Sequence, residues 1–436
     1  MRIHRPMPVL LSLLLAPATG VAAAGAGSST PAPLLLLTAT AALAVVALFA
    51  AQSLLSRRIP RSAKTPPVRC VLQRDDAQEQ KAAAGQQRHP LGSSVALSAA
   101  SNGAATGVVT QYEPATDRYD VQLSSSETVT LHASQLQQPT VSALYVYPIK
   151  SCGGLSFPSA QLTPKGLLHD REWVIIDAAR NKFVTQRRFP KMALIRPKLL
   201  PDAAASHIQS LVLTAEGMPD LEVPVVRSPD GPERLVSIWK DSVQGVDQGD
   251  AAAQWLDTFL GEERRHFRLV RVKDAFTRHT QPKYAPGHAT NFADAFPFLL
   301  TLEASLTQLN EKLDESVPMN RFRPNIVLRG SPAFADEHWN CVVIGGLRFR
   351  NVRPCARCAM PSVDQSTGTT HAKREPSRTI VRERNGVRLG FIDGKKVEGY
   401  FGSNLVVELE SSSSTPPQLA VGASVKVLTL KSEVVA

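Results

Sequence analysis

Cysteine is scarce in this sequence, with five residues among 436. So few cysteines do not form a disulfide framework, and their scarcity suits a reducing compartment. The sequence also lacks a second C-x-x-C motif and a spaced pair of histidines, so a four-ligand zinc site would be difficult to complete. Acidic residues are outnumbered, with 49 Lys and Arg against 38 Asp and Glu. Because the resulting net charge of +11 is spread along the chain, nucleic-acid binding is disfavoured.

The N-terminus, in contrast, carries two long apolar runs. Residues 9–27 are small and apolar after a short basic start, which is typical of a signal peptide. Residues 34–55 then form a run of 22 residues without a charge, long enough to cross a bilayer. The basic residues that follow this run are Arg57, Arg58, Arg61 and Lys64. We therefore predict a targeting and anchor region over residues 1–64, with one transmembrane helix at about 34–55 and the later domains in the cytosol, and leave open whether residues 9–27 are cleaved or form a second membrane segment.

A polar stretch and a small compact unit follow the anchor. Residues 65–89 are polar and lack hydrophobic periodicity, which predicts a flexible linker. Residues 90–138 contain three short alternating segments that predict strands, at Gly107–Tyr112, Arg118–Leu123 and Thr128–Leu131. Their spacing resembles a small SH3-like barrel of the Tudor or KOW type, and the sequence leaves open whether this unit binds a peptide or acts as a spacer.

The rest of the chain predicts a mainly β fold with some α-helix, of the α+β class. One helix is predicted at Ala251–Leu260, with Asp250 as its N-cap and Gly261 just beyond its end. A second helix is predicted at about Leu302–Ser316 because leucines recur on one face. Residues 371–396 are charged and polar, and we expect them to pass over the surface.

The segment from Asn351 to Gly368 is the strongest candidate for chemistry. It contains Cys355 and Cys358, which are three positions apart and have arginines on either side. Strand-like residues precede the pair, and Pro354 cannot donate to a strand ladder, so the cysteines are predicted on a loop that leaves a strand. Arginines stabilise a thiolate, which can serve as a metal ligand or a nucleophile.

Four interpretations of this C-x-x-C motif remain open at this point. A zinc site would have only Cys341 and His371 as further nearby ligands. A thioredoxin-type redox pair should open a helix, and Met360–Val363 does not read as a helix start. The cysteines could also be structural thiols. In the fourth interpretation, which is favoured only through the family resemblance described next, one thiolate binds a soft transition metal that arrives with its own cofactor.

Four ordered segments resemble the MOSC-domain family, whose name comes from the C-terminus of molybdenum cofactor sulfurase. The first is Tyr145–Gly154 (Y-V-Y-P-I-K-S-C-G-G), and the second is His169–Trp173 (H-D-R-E-W). The third, Asn320–Val327, contains F-R-P-N-I-V, and the fourth, Arg353–Gly368, contains R-P-C-A-R-C and V-D-x-x-T-G. Their order and spacing are similar to those of the mitochondrial amidoxime-reducing components and their bacterial relatives. The resemblance implies a MOSC N-terminal β-barrel domain at residues 141–270 and a MOSC β-barrel domain at 271–432.

The resemblance also implies a molybdenum cofactor, a pyranopterin that holds molybdenum and carries a phosphate. In the family pattern Cys358 corresponds to the protein ligand of the metal, and Cys355 is then a neighbour. Asp364 is expected to be a second catalytic residue that orients the loop or takes part in proton transfer. The implied cofactor-binding residues are Lys150, Ser151, Arg171, Asp294, Arg323, Asn325 and Cys358.

Each of these residue types suits a part of that cofactor. Lys150 and Arg171 suit its phosphate, and the amide of Asn325 could read a pterin edge as donor and acceptor. Arg323 precedes a proline, which is expected to hold it extended. The sequence departs from the family at Asp294–Phe298, where animal reductases carry Thr-Ser after the Asp. This departure leaves only backbone N–H groups to meet the cofactor there.

The implied activity is that of a membrane-anchored, molybdenum-dependent reductase of N-hydroxylated, amidoxime-type substrates. No flavin or haem motif is visible, so electrons would come from partners, in this family a b-type cytochrome and its flavin reductase. The alternatives are a cofactor carrier or sulfur-transfer accessory without turnover, and a membrane scaffold that acts through the SH3-like unit. The mitochondrial outer membrane is favoured over the endoplasmic reticulum. Pyridoxal phosphate is a further cofactor associated with the family, and no residue is assigned to it.

Overall fold

The computed structural model describes residues 89–97, 106–123, 126–201, 208–261, 265–409 and 416–436. These belong to the larger of the chain's two compact units, Pro66–Ala436. The predicted membrane helix at residues 34–55 and nearly all of the predicted linker lie outside the described residues. No helix within the described ranges is long and apolar enough to span a bilayer. The same ranges contain 25 β-strands and three α-helices, which confirms the mainly β prediction.

The first four strands form a small antiparallel sheet with its own core. They are β1 (Ser94–Ala96), β2 (Thr106–Glu113), β3 (Arg118–Leu123) and β4 (Thr128–His132), paired in this order. Val109, Tyr119 and Val121 are fully buried in its core. The predicted strands are confirmed. The two ends of the sheet meet where Leu97 bridges Leu136 and Gln137 N donates to Ala96 O at 2.8 Å, and the SH3-like barrel stays a prediction.

The next part of the chain contains a closed barrel. Its elements are β5 (Thr140–Val146), β6 (Leu155–Phe157), β7 (Ser159–Thr163), β8 (Gly166–Leu167), β9 (Trp173–Asp177), β10 (Lys182–Phe183), β11 (Arg196–Pro201), β12 (Ile208–Thr214), β13 (Leu221–Pro224), β14 (Glu233–Ile238), β15 (Asp241–Asp247), α1 (Asp250–Leu260) and β16 (Phe267–Val272). Strands β9, β10, β14, β15 and β16 form the barrel, and β11–β13 form a separate sheet. Alternate residues of β9 enter two different cores, with Val174 and Ile176 in one and Trp173 and Ile175 in the other. This strand therefore has no exposed face.

The last part of the chain builds the largest sheet. Its elements are β17 (Arg278–His279), β18 (Ala289–Thr290), β19 (Phe298–Leu302), α2 (Glu303–Asn310), β20 (Ile326–Arg329), β21 (Trp339–Ile344), β22 (Leu347–Arg357), α3 (Ser377–Arg384), β23 (Gly399–Glu408), β24 (Gln418–Ala420) and β25 (Val425–Leu430). The sheet has eight strands in the order β25-β21-β22-β23-β19-β20-β5-β6. The start of β5 also meets the segment that leads into β25, where Thr140 bridges Ser424 and Val141 N donates to Ala423 O at 2.9 Å, so the two ends of this order come together as the predicted barrel requires. The edge strand β6 is only three residues long, and its recorded pairing is with β5 alone.

One long-range pairing of this sheet positions the site. Strand β5 pairs antiparallel with β20, with Leu144 opposite Ile326, although they are far apart in the sequence. The loop after β5 carries Lys150, and the segment just before β20 carries Arg323. The pairing therefore brings two of the four motifs together.

The first two helices differ from their predictions at their ends. Helix α1 ends at Gly261 in the left-handed conformation, as predicted, but Asp250 is its first helical residue and Gly249 is the N-cap. The carboxylate of Asp250 instead accepts a hydrogen bond of 2.6 Å from Arg268. Helix α2 stops at Asn310, well before the predicted end, because the Asn310 side chain forms two hydrogen bonds with the backbone of Val317.

Two further predictions were wrong near the cysteines. Residues 371–396 are not only a surface passage, since they contain α3, whose Ile380 is fully buried against Phe322 and Phe401. Strand β22 also continues through Pro354 to Arg357, so Cys355 lies in a strand. Shifts of register on both sides of Pro354 allow β22 to stay paired with β23 despite the missing N–H.

Candidate functional site

A cavity of about 480 Å³ brings most of the predicted site residues together. The members of the predicted set that line it are Lys150, Ser151, Arg171, Asp294, Arg323, Asn325 and Cys358. Asp364 does not line it. The volume lies in the range of small-molecule sites in proteins, which are about 300–1,000 Å³. Residues from all four sequence motifs therefore line one cavity.

One row of residues across the large sheet forms part of the cavity wall. Arg353 on β22 pairs with Asn404 on β23, and Asn404 pairs in turn with Leu299 on β19. The backbone N–H of Asn325 donates to Leu299 O at 2.8 Å, which extends the row towards β20. All four residues line the cavity. The sequence alone does not reveal this row, because it depends on strand register.

At one side of the cavity Lys150 forms an ion pair with Asp294. The ammonium Nζ donates to Asp294 Oδ1 at 2.6 Å and to Phe292 O at 2.7 Å. Burial lowers the pKa of Lys150, and the Asp294 carboxylate opposes this shift. Loss of hydration would raise the pKa of Asp294, but Lys150 outweighs it and holds that pKa below its usual value. The Asp294 side chain is 58% exposed, so solvent weakens the attraction.

Arg171 is fixed by the residue before it. Its Nη1 donates to both carboxylate oxygens of Asp170, at 2.7 and 2.6 Å, and its Nη2 donates to Arg323 O at 3.1 Å. The Asp170 carboxylate also accepts from Tyr147 N at 2.9 Å. Burial raises the pKa of Asp170, while Arg171 opposes the rise. The guanidinium is thus held in one orientation over the Tyr147 ring, 4.4 Å from the ring centroid.

Arg323 does not have the extended backbone that the following proline predicts. Its φ is +56°, in the left-handed region that non-glycine residues rarely adopt, and Ser151 and Arg171 have φ of +65° and +49°. The guanidinium of Arg323 is buried, stacks 4.2 Å from the Tyr147 ring centroid and donates from Nη1 to Cys152 O. Burial lowers the pKa of Arg323 to about 10, so it stays cationic at neutral pH. Strained backbone of this kind is concentrated at functional sites.

Buried donors beside these cations lack acceptors. Arg323 Nη2 and Ser151 Oγ are buried without a hydrogen-bond partner, and both residues line the cavity. Leaving such groups unsatisfied costs about 1–3 kcal/mol each. An anionic oxygen ligand in the cavity would satisfy both groups. The donors and cations therefore fit a phosphate-bearing ligand.

Asn325 has a structural role in addition to its place at the cavity. Its Oδ1 accepts from Leu299 N and its Nδ2 donates to Tyr145 O, both at 3.2 Å. Both functions of the amide therefore join neighbouring strands. Recognition of a pterin edge by the Asn325 amide stays a prediction. The amide would have to bind the pterin in addition to these two backbone groups.

The two cysteines occupy different surroundings. Cys355 is half-buried, and its Sγ accepts a hydrogen bond of 3.2 Å from Arg357 Nη1. Cys358 is exposed, follows the end of β22, and has Met360 N at 3.5 Å from its Sγ. Both line the cavity, but only the Cys358 sulfur is free of a cationic side-chain donor. This difference favours Cys358 as the metal ligand, which stays a prediction.

Asp364 holds the loop that follows the cysteines. Its Oδ1 accepts from Ser366 N at 2.7 Å and Thr367 N at 3.1 Å, and its Oδ2 accepts from Arg321 at 2.6 Å. Burial would raise the pKa of Asp364, but these hydrogen bonds, led by Ser366, lower it to about 2. A carboxylate held in this way orients the loop and is a poor proton donor near neutral pH.

The zinc and thioredoxin-type interpretations of the C-x-x-C motif gain little support from the residues around it. Cys341 is fully buried in β21, and His371 Nδ1 accepts from Glu375 N at 3.3 Å. Among the described residues, no group of three or more His, Cys, Asp and Glu side chains is arranged to hold a metal ion. The short 3₁₀ turn at Met360–Ser362 is the only helical structure directly after the cysteines within this part of the chain.

Other residues at the cavity were not predicted from the sequence. Tyr284 and Phe296 contact each other edge to face, with 6.4 Å between ring centroids, and both line the cavity. Lys395 and Glu398 also line the cavity. Lys395 belongs to the segment that was predicted to pass over the surface, residues 371–396, and Glu398 lies just after it. No local pattern marks these residues, because only the folding of distant loops brings them to the site.

Comparison with known proteins places these features in a family. Residues 138–263 match the MOSC N-terminal beta barrel domain, and residues 287–426 match the MOSC domain. The chain is 36% identical over 255 residues to mitochondrial amidoxime-reducing component 1 of Mus musculus, covering 56% of this chain and 72% of that protein. It is 33% identical over 256 residues to component 1 of Homo sapiens, with 56% and 72% covered. It is also 29% identical over 266 residues to molybdenum cofactor sulfurase of Bos taurus, covering 57% of this chain but 29% of that protein.

Proposed function

Because the chain belongs to the MOSC-domain family that includes the mitochondrial amidoxime-reducing components, we propose that it is a molybdenum-cofactor-dependent reductase of N-hydroxylated substrates. For an amidoxime the reaction is R–C(NH₂)=N–OH + 2 e⁻ + 2 H⁺ → R–C(NH₂)=NH + H₂O. The electrons are expected from a b-type cytochrome and its flavin reductase.

The observation that carries this proposal is the set of unsatisfied buried donors in a cavity that an exposed cysteine also lines. Ser151 Oγ and Arg323 Nη2 are buried without acceptors in the cavity that Cys358 also lines. A phosphate-bearing cofactor that also needs one protein thiolate combines both requirements. The MOSC match supports the molybdenum cofactor as that ligand.

Each residue has a distinct task in this proposal. The cofactor, when bound, supplies the redox chemistry of the metal. Cys358 provides the thiolate, and the N–H of Met360 steadies its Sγ. Lys150, Arg171 and Arg323 offer cations and donors to the phosphate, while Asp170 and Asp294 limit the net charge that they bring.

A second candidate function is a carrier or sulfur-transfer accessory without reductase turnover. The similarity to molybdenum cofactor sulfurase and the exposure of the Cys358 thiol favour it. Two measurements on the purified protein separate the candidates. Bound molybdenum together with turnover of benzamidoxime by a reconstituted electron donor supports the reductase. Bound molybdenum without turnover supports the carrier, and absence of metal from protein made in cofactor-sufficient cells contradicts both.

Arg171→Ala is expected to lower cofactor occupancy by roughly tenfold or more when cofactor is limiting. The variant loses a charge-assisted hydrogen bond to the phosphate, which contributes about 1.5–3 kcal/mol. Molybdenum per protein, measured after dilution and gel filtration, checks the expectation. Retention of the metal at the wild-type level would show that Arg171 does not bind the cofactor.

Arg171→Ala also leaves the buried Asp170 without its counter-ion, so a loss of folding must be separated from a loss of binding. The double variant Asp170→Asn with Arg171→Ala removes the uncompensated charge. We expect it to recover stability but not molybdenum. Lys198→Ala, which alters an exposed lysine in a surface ion pair, serves as the matched control and should keep full occupancy.

The membrane prediction has its own test. The uncharged run at residues 34–55 and the basic cluster after it predict an anchor with the folded domains facing the cytosol. Protease added to intact organelles should digest the domains and leave a protected apolar fragment. Survival of the domains until detergent is added would contradict this orientation. Co-fractionation with outer-membrane or reticulum markers decides which membrane holds the anchor.

A further inference from the structure

One cation at the cavity has no hydrogen-bond or ion-pair partner among the described residues. The cationic side chains that line the cavity are Lys150, Arg171, Arg323, Arg353, Arg357 and Lys395. Five of them donate to carboxylates, a thiol or backbone carbonyls within the described structure. The guanidinium of Arg353 takes part in no hydrogen bond or ion pair with any described residue. The carboxylates that line the same cavity, Asp294, Asp393 and Glu398, are paired with Lys150, Lys283 and Lys395.

Arg353 is nevertheless held in place. It is half-buried on the bulged part of β22, and its backbone carbonyl accepts from Asn404 Nδ2 at 3.5 Å. The guanidinium stacks on Tyr284, with Cζ 4.5 Å from the ring centroid. The Tyr284 carbonyl accepts from Arg350 Nη1 at 2.9 Å, which ties that loop to β22. Stacking fixes the plane of the donor fork and lowers the entropy lost when it binds a ligand.

Glu398, the acidic side chain that acts electrostatically on Arg353, already accepts hydrogen bonds from other residues. Glu398 accepts from Lys395 Nζ at 2.8 Å and from Tyr400 Oη at 3.0 Å. The hydrogen bond from Lys395 is the main cause of the lowered pKa of Glu398, and Arg353 adds a smaller effect. Arg353 therefore keeps an unpaired positive charge, and a planar carboxylate can accept two parallel hydrogen bonds from it.

The position of Arg353 separates it from the residues that suit the cofactor phosphate. The row Arg353, Asn404, Leu299 and Asn325 crosses three strand spacings, or about 14 Å in total. Lys150 and Arg323 lie at the far end of this row, beside β5 and β20. Arg353 instead stacks on Tyr284, whose ring contacts Phe296 edge to face, and Phe296 belongs to the segment where the family hydroxyls are missing. A second anionic group, distinct from the phosphate, fits this end of the cavity.

We propose that Arg353 binds a carboxylate of the substrate, so the substrates are N-hydroxylated compounds that carry an anionic group. The proposal rests on the reductase function proposed above. Arg353 is then a specificity-determining residue, and it takes over the polar recognition that the Ala295 and Phe296 side chains cannot provide. The aromatic ring of Tyr284 supplies an apolar surface next to the charge.

Paired substrates test this proposal on the holoenzyme with its reconstituted electron donor. The ratio of kcat/KM for 4-carboxybenzamidoxime to that for benzamidoxime is measured in the wild type and in Arg353→Gln. A charge-assisted contact predicts that this ratio falls roughly 10- to 100-fold in the variant, mainly through KM, and recovers in part in Arg353→Lys. Arg348→Gln, which alters an arginine of the same strand that pairs with Glu408, should keep the wild-type ratio.

The outcomes distinguish this proposal from its alternatives. An equal ratio in wild type and Arg353→Gln, with turnover of both substrates, overturns the carboxylate site and keeps the reductase. Loss of molybdenum on dilution of Arg353→Gln would assign the contact to the cofactor phosphate and also overturn it. If neither substrate turns over, calorimetry with 4-amidinobenzoate and benzamidine decides. The site is supported if the wild type binds 4-amidinobenzoate more tightly than benzamidine and Arg353→Gln loses this preference. Equal binding of the two compounds by the wild type overturns it.

Discussion

Cys358→Ser is expected to abolish reduction of a model amidoxime. Molybdenum prefers a polarizable sulfur, and a serine oxygen is a harder ligand that alters the electronics of the metal. Loss of an outer-shell partner of a metal site typically costs about 10–100-fold in activity, so loss of the ligand itself should exceed this range. Steady-state turnover of benzamidoxime, normalised to molybdenum content, is the measurement.

Cys355→Ser is the matched variant for this experiment, since it makes the same substitution three residues away. It should keep most activity, because a serine hydroxyl can also accept the hydrogen bond from Arg357. A zinc site or a dithiol redox pair would lose activity equally with either substitution. Equal losses, or full activity in Cys358→Ser, would contradict the ligand assignment. The exposure of Cys358 and the strand position of Cys355 make the unequal result the expected one.

Arg384→Met is expected to lower the free energy of unfolding by about 3–5 kcal/mol at pH 8, because it leaves a buried carboxylate unpaired. Arg384 on α3 donates to Glu337 Oε1 at 2.5 Å, and the two side chains are 13% and 4% exposed. Burial raises the pKa of Glu337 to about 7, while Arg384 opposes the rise. Urea unfolding followed by circular dichroism gives the difference. The residues lie outside the cavity lining, so the loss should be in stability first.

The pH dependence of this effect has a definite sign. A carboxyl group whose pKa is raised by folding binds protons more tightly in the native state, so its cost to stability grows as pH rises from its unfolded pKa, about 4.3, through its folded pKa. Removing Arg384 raises the folded pKa of Glu337 further. The difference between wild type and Arg384→Met should therefore be larger at pH 8 than at pH 5. A difference that grows towards acidic pH would contradict this account.

Two controls isolate the buried charge. The double variant Arg384→Met with Glu337→Leu removes both charges and should recover most of the lost stability, since an apolar pair of similar volume often replaces a buried ion pair without loss. Arg382→Met changes a neighbouring arginine of α3 that is 54% exposed, and it should alter stability by about 0.5 kcal/mol or less. Equal destabilisation by both arginine variants would point to helix α3 as a whole and away from the ion pair.

The sequence by itself determined the class of the fold and the family, and it predicted the chemistry of the site. Residue types at fixed spacings identified Cys355 and Cys358, the basic residues of three other motifs, and the MOSC resemblance, which the comparisons confirm. Alternation of apolar residues predicted a mainly β chain, and the motif at Gly261 correctly ended α1. These features are local, because periodicity and turn chemistry are properties of adjacent residues. Local patterns were less reliable at Pro354 and Asn310, where bulges and side-chain hydrogen bonds set the boundaries.

Tertiary structure alone decided which charged side chains of the cavity are paired within the protein and which are available to a ligand. Arg171, Arg323 and Arg353 look alike in the sequence, yet one is bound by Asp170, one donates to Cys152 O with an unsatisfied Nη2, and one has no polar partner among the described residues. The left-handed backbone of Arg323 likewise opposes the local preference before proline. The reason is physical: Arg353 lies on β22, where a register shift of one residue would turn its side chain to the other face of the sheet. Arg171 and Arg323 lie outside strands in the left-handed conformation, and the hydrogen bond from Arg171 Nη2 to Arg323 O joins two segments that are distant in the sequence.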